Sequence, residues 1–287
     1  MCPRPGLSML SLLSGWLTLA NGLDALARFP RALSALVDVS RDDVVGTVLR
    51  RFSAYGPVPS GGTTRLLWSR MGTHDLTAQT DLGAGVLMQI SSDAVLDQGL
   101  DCRIEGLDAT GDFQAGLFTT DAFDGQTASP LAALLWSAIN LLEMDDDPAG
   151  TIYISPTGAA LTVGIPTANG DVRGQVLRET DIAHNAKQTA LYTVPNGRRA
   201  VVIQWRGGCL RSDIGATGAT FFLQHRAGTG GIWRTVDTAT EFLGPGGIEE
   251  VYLGLAAGEA VRIMCTNADS LTTALVGGFN VLELDIS

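Results

Sequence analysis

Leu100-Asp101-Cys102-Arg103-Ile104-Glu105-Gly106 alternates strictly. Leu100, Cys102 and Ile104 fall on one side; Asp101, Arg103 and Glu105 fall on the other. A period of two marks a strand with one face against a core and one toward water. The segments on either side read the same way. Val44–Ser53, Arg65–Arg70, Ala84–Ser91 and Gly111–Thr120 are strand-like, and Gly56–Thr64 is a turn-rich loop. Thr151–Ser155 and Ala160–Ile165 read as a hairpin around Pro156-Thr157-Gly158. Leu131–Met144 fits two descriptions. Leu131, Leu134, Leu135, Ile139 and Leu142 follow a helical spacing, while the neighbouring segments favour a strand.

Thr167–Lys187 is polar and reads as a bridge. Beyond it the pattern restarts, with strand-like runs at Thr189–Val194, Arg199–Trp205, Ala219–Gln224, Ile232–Val236, Glu249–Leu253, Ala260–Thr266 and Ala274–Asp285. Runs at roughly 10-residue spacing between Gly-rich turns predict a sandwich or jelly roll. The expected fold class is therefore mainly β, with two β-sandwich or jelly-roll-like domains after an N-terminal helical segment. The boundaries are 1–43 for the helical segment, 44–175 for the first β-domain and 176–287 for the second. Composition agrees: Gly is 35 of 287 residues and charged residues are 17 per cent, against a usual ~25 per cent.

Gly6–Arg28 carries a different period. Met9, Leu12, Leu13, Trp16, Leu17, Ala20, Leu23 and Leu26 form one stripe of a helix that Pro30 stops. A signal peptide would have only Arg4 as its positive region. A membrane span needs about 20 apolar residues, and Asn21, Asp24 and Arg28 interrupt this one. The favoured reading is an amphipathic helix that docks on its own β-domain or on a partner. Met9, Leu12, Leu13, Trp16, Leu17, Leu23 and Leu26 are its candidate partner-binding residues.

The formal charge is -11, with a single lysine, Lys187, and no basic run longer than the pairs Arg50-Arg51 and Arg198-Arg199. Nucleic-acid affinity comes chiefly from Lys and Arg, so this balance argues against nucleic acid and against an anionic membrane surface. Cys2, Cys102, Cys209 and Cys265 are scattered and read as small buried hydrophobes; a Cys209–Cys265 bridge would need adjoining strands. His74, His184 and His225 lie far apart, and no metal-binding spacing is present. Asp145-Asp146-Asp147 lacks the alternation of a calcium loop and reads as a solvated turn. Without a G-x-S-x-G turn or a nucleophile–base pair, no catalytic, cofactor or metal residue is assigned, and the chain is read as a non-enzyme. Trp205, Trp233 and Tyr252 could line a sugar-binding face, although core packing accounts for them equally simply.

Three stretches occur in order. They are Leu87-Met88-Gln89-Ile90-Ser91-Ser92-Asp93-Ala94 running on through Gly106-Leu107-Asp108-Ala109, then Gly150-Thr151-Ile152-Tyr153-Ile154, then Tyr192-Thr193-Val194-Pro195-Asn196-Gly197. This order resembles the virion structural proteins of marine tailed bacteriophages, variously head-fibre, decoration or tail-fibre-like. The resemblance covers most of the chain after Val44. It implies a structural protein assembled in the host cytoplasm and carried in the virion. Its partners would be other virion proteins and further copies of itself, with a host-surface glycan as the alternative ligand. It brings no catalytic residue, cofactor or metal. Residues 1–43 would be the anchor.

Overall fold

The computed structural model describes residues 46–58, 64–66, 85–122, 124–168, 171–176, 191–211, 218–228, 231–241, 248–267 and 273–286. The expected anchor helix, Met9 to Leu26, lies outside the described residues. The chain divides into two compact units, Met1–Leu49 and Arg50–Ser287. Everything that follows concerns the second unit. Among the described residues it is all strand and turn, with no helix long and apolar enough to cross a membrane.

The strands in chain order begin with β1 (Thr47–Val58), β2 (Thr64–Leu66), β3 (Val86–Ser92), β4 (Asp101–Leu107), β5 (Phe113–Thr119) and β6 (Ser129–Trp136). Then come β7 (Ala138–Met144), β8 (Ile152–Pro156), β9 (Leu161–Thr162), β10 (Ile165–Pro166) and β11 (Gly174–Val176). The last seven are β12 (Leu191–Thr193), β13 (Arg198–Arg211), β14 (Ala219–Arg226), β15 (Trp233–Glu241), β16 (Ile248–Leu255), β17 (Ala260–Asn267) and β18 (Thr273–Asp285). Each of the seven runs read after Thr189 is thus a strand.

Two pairs of sheets result. In the first, β11-β8-β3-β6 accompanies β5-β4-β7. Its core holds Met88, Ile90, Cys102, Ile104, Trp136, Leu142, Ile152 and Ile154, all fully buried. In the second, β1-β18-β13-β16 accompanies β12-β17-β14-β15, with β2 added on β17. Its core is built on Tyr192, Val202, Trp205, Phe221, Ile263, Phe279 and Val281. Burying each large side chain contributes about 1.5–3 kcal/mol. The Phe52 ring joins this core, 5.0 Å from Tyr192 and 5.1 Å from Phe279. Gly207 of β13 lies beneath the Phe221 ring, where a Cβ would overlap the ring atoms.

Chain order and sheet order differ. β1 pairs with β18 and β2 pairs with β17, so residues 47–66 share sheets with residues 191–285. Counting β1 and β12 to β18 from one to eight, the facing sheets read 1-8-3-6 and 2-7-4-5. The block from β3 to β11 enters between the first and second strands of this set.

Three sequence expectations change. Leu131–Met144 is neither a helix nor a single strand: β6 ends at Trp136 and β7 begins at Ala138. The break is Ser137, whose N–H donates to Leu107 O at 2.8 Å. The expected hairpin of 151–155 with 160–165 does not form. β8 lies between β3 and β11, while β9 pairs only with β10. Finally, the polar bridge is not featureless, since Gly174–Val176 is a fully buried strand along β8.

Candidate functional site

The densest concentration of charge lies where the two sheet pairs meet. Arg50 of β1 donates through Nη1 to Glu105 Oε2 of β4 at 2.6 Å, and its Nε sits 3.0 Å from Glu283 Oε2 of β18. Arg198 Nη1 donates to the same Glu283 oxygen at 2.7 Å, and the Tyr192 hydroxyl donates to the other. Arg103 closes on Glu105 from the adjacent position of β4. The guanidinium of Arg198 also covers the Phe113 ring at 4.4 Å. Glu105 and Glu283 are 3 % and 2 % exposed, so both carboxylates depend on these partners for solvation.

Burial raises the Tyr192 hydroxyl well above its ordinary pKa, and the adjacent Glu283 charge and hydrogen bond raise it further. Burial opposes the charge of Arg50, but Glu283 and Glu105 outweigh it, and the guanidinium is held above its ordinary value. Two carboxylates therefore face three guanidinium groups. Arranged this way the cluster clamps sheets together, and neither carboxylate is presented for acid–base work.

A second group lies on the 2-7-4-5 sheet. Trp233 of β15 is half-buried, with Arg262 of β17 at 4.0 Å and Arg226 of β14 at 5.2 Å from its ring centre. His225 Nε2 is 3.3 Å from Glu259 Oε2. The candidate sugar-binding aromatics do not converge. Trp205 is 1 % exposed and its Nε1–H donates to Asp237 at 2.9 Å, which makes it a core residue. Tyr252 is 61 % exposed on β16, in the opposite sheet from Trp233. A shared aromatic face of Trp205, Trp233 and Tyr252 is thus absent, because Trp205 points into the core.

Asp97 was read as part of a loop entering a strand. It is buried, and it accepts from the N–H groups of Ala149 at 2.6 Å and Gly150 at 2.9 Å and from the Ser92 hydroxyl. Asp93 accepts from Thr151 N–H at 2.7 Å. These carboxylates replace backbone partners in the turns of the first sheet pair. Asp145, Asp146 and Asp147 are exposed at the end of β7. Among the described residues, no group of three or more His, Cys, Asp or Glu could hold a metal. Cys102 and Cys265 are buried free thiols, and burial pushes Cys102 up to about 12.

Sequence reasoning missed the charged cluster. It placed Glu105 on the solvated face of β4, yet Arg50 covers that face. The two basic pairs held the signal: Arg50 and Arg198 turn to Glu283, while Arg51 and Arg199 are exposed.

No model of a known protein family matches the chain, and no curated protein matches it. Solved structures align loosely. The infectious bursal disease virus Gt strain structure aligns at 9% identity and a TM-score of 0.23, covering 84% of this chain and 73% of that one. The PBSX exported protein XepA aligns at 11% identity and a TM-score of 0.17, covering 82% and 86%. The Arthrobacter globiformis T6 isomalto-dextranase complexed with panose aligns at 12% identity and a TM-score of 0.19, covering 84% and 35%. Alignments this loose define neither a shared fold nor a shared function.

Proposed function

We propose that the chain is a non-enzymatic structural protein of a virion, with its eight-strand module folded as a jelly roll. The observation that carries this reading is the strand order 1-8-3-6 facing 2-7-4-5. That is the order of a two-sheet jelly roll, an architecture used by viral capsid and lectin domains. The step from fold to role is an analogy. The resemblance of the three ordered motifs to tailed-phage structural proteins supports the same role. On this reading residues 1–43 anchor the protein in a neighbouring subunit of the head, neck or tail. The other partners are virion proteins and further copies of the chain.

Gold-labelled antibody on purified particles, viewed by electron microscopy, tests the proposal. Label at one particle site is expected. Bare particles, with the protein free in the lysate, would refute it.

The alternative is a receptor-binding module for host-surface glycans, and it now rests on exposed Tyr252 and on Trp233 between two arginines. Titration with millimolar sugars that leaves Trp233 fluorescence unchanged would remove this alternative.

A further inference from the structure

Edge strands expose unpaired backbone groups, and proteins ordinarily blunt them with charge, proline, bulges or short length. The edges of this molecule follow that rule except for one. β15 carries Arg234, Asp237 and Glu241 and a shifted ladder, and β16 carries Glu249 and Glu250 and a shifted ladder. β6 has Pro130 and a shifted ladder, β1 has Arg50, Arg51 and Pro57, and β7 has Glu143. The remaining edge strands have three residues or fewer.

β5, Phe113-Gln114-Ala115-Gly116-Leu117-Phe118-Thr119, has no charge and no proline. Its ladder with β4 runs through seven consecutive pairs without a shift. The bonds Asp108 N–H to Asp112 O and Thr120 N–H to Leu100 O set the phase of that ladder. In an antiparallel pair, hydrogen-bonded positions alternate with positions whose groups point away. The backbone groups of Phe113, Ala115, Leu117 and Thr119 therefore face outward, and no described residue takes them up. Leu117 is 66 % exposed. Beside the strand, Gln114 Nε2 donates to Leu135 O at 2.8 Å, and exposed Leu135 lies opposite exposed Leu87.

We infer that β5 pairs antiparallel with β5 of a second copy of this chain, about a twofold axis at Gly116. The strand is self-complementary in that register. Phe113 meets Thr119 of the second copy, Ala115 meets Leu117, Gly116 meets Gly116, and no charge faces a charge. The outward positions meet one another, which gives about eight new backbone hydrogen bonds. Each three-stranded sheet becomes half of a six-stranded one, through an isologous contact. Each copy carries a formal charge of -11, so two copies approach best through an uncharged surface. The inference does not depend on the virion reading.

Sedimentation of the full-length chain at micromolar concentration tests it. The wild type should be a dimer. Leu117→Lys and Ala115→Lys should each be monomers with unchanged circular dichroism and melting. Val236→Lys, on the β15 edge, should remain a dimer. Hydrogen exchange of the wild type gives a readout that needs no variant: the Ala115 and Leu117 amides should be protected in the dimer and exchange freely on dilution. A monomeric wild type, an assembly that survives Leu117→Lys, or unprotected amides at those positions would overturn the inference.

Discussion

Replacing Glu283 by Gln removes one charge and little volume, and its cost follows from the surroundings. The Glu283 side chain is 3 % exposed and faces Arg50 at 3.0 Å, Arg198 at 2.7 Å and the Tyr192 hydroxyl. Breaking a buried ion pair by removing one partner costs about 3–5 kcal/mol, because the remaining charge keeps its desolvation penalty. Two features place this site at the lower end. Arg50 retains Glu105, and the Arg50 and Arg198 side chains are 17 % and 22 % exposed, so water relieves part of the loss. The amide oxygen of Gln can still accept from Tyr192. A loss of about 3 kcal/mol is expected, which for a unit of this size lowers Tm by about 6–12 °C. Calorimetry and urea unfolding at neutral pH measure it, with exposed Glu250→Gln as the control that should move by less than about 0.5 kcal/mol. The loss should persist at high salt, because buried pairs are weakly screened. A Glu283→Gln variant within about 1 kcal/mol of wild type would refute the view that this cluster clamps the sheets together.

Alkaline stability depends on Tyr192, whose folded pKa lies well above its ordinary 10.0. From about pH 10 upward the unfolded chain releases a proton that the folded chain keeps, so stability falls as pH rises. Urea midpoints measured across that range should show this slope in the wild type and lack it in Tyr192→Phe. Cys102 and Cys265 are fully buried, and Cys102 titrates at about 12. A Cys2→Ser, Cys209→Ser chain should therefore give no thiol reaction with a disulfide reagent when native and two equivalents in urea; prompt native reaction would contradict the burial. Gly106→Ala should destabilise by about 1–3 kcal/mol or more, since the added Cβ would overlap the carbonyl oxygen of Ala138 on β7. A melting curve unchanged from wild type would contradict that strand approach.

The strands were legible because each is a local pattern. Alternation along β4 and regular spacing between Gly-rich turns after Thr189 are set by which face meets a core, and residues a few positions apart record that. Partnership is not local. Nothing in Thr47–Val58 says that it pairs with β18, more than two hundred residues on. The ambiguous Leu131–Met144 mimicked a helix for a related reason. Leu131, Trp136, Ile139 and Leu142 are all buried, but on two strands joined at Ser137, and their summed spacing imitates a turn of helix. The charged cluster was hidden by the rule that a half-buried strand keeps its charges outside. Glu105 obeys the alternation and is buried all the same, because a distant arginine supplies its solvation.

The position of the β3–β11 block bears on how the molecule carries load. The block is inserted between the first two strands of the eight-strand module, so two chain crossings tie it there. A block held only by crossings would swing, since motion is the default where an interface is small and polar. Here separate strands contribute separate ties. Asn140 of β7 binds Thr193 twice, donating to its carbonyl at 2.7 Å and accepting from its N–H at 3.0 Å. Asn196 donates to Gly111 O at 2.8 Å and to Thr110 O at 2.9 Å. Arg50 joins Glu105 to Glu283, and buried Tyr153 and Val172 enter the core of Trp205 and Phe221. Rotation about any one of these ties breaks the others, so none can act as a hinge. The insertion is then a rigid extension that holds the β5 edge at a constant angle to the eight-strand module. Identical copies can close a symmetric assembly only if that angle is the same in each.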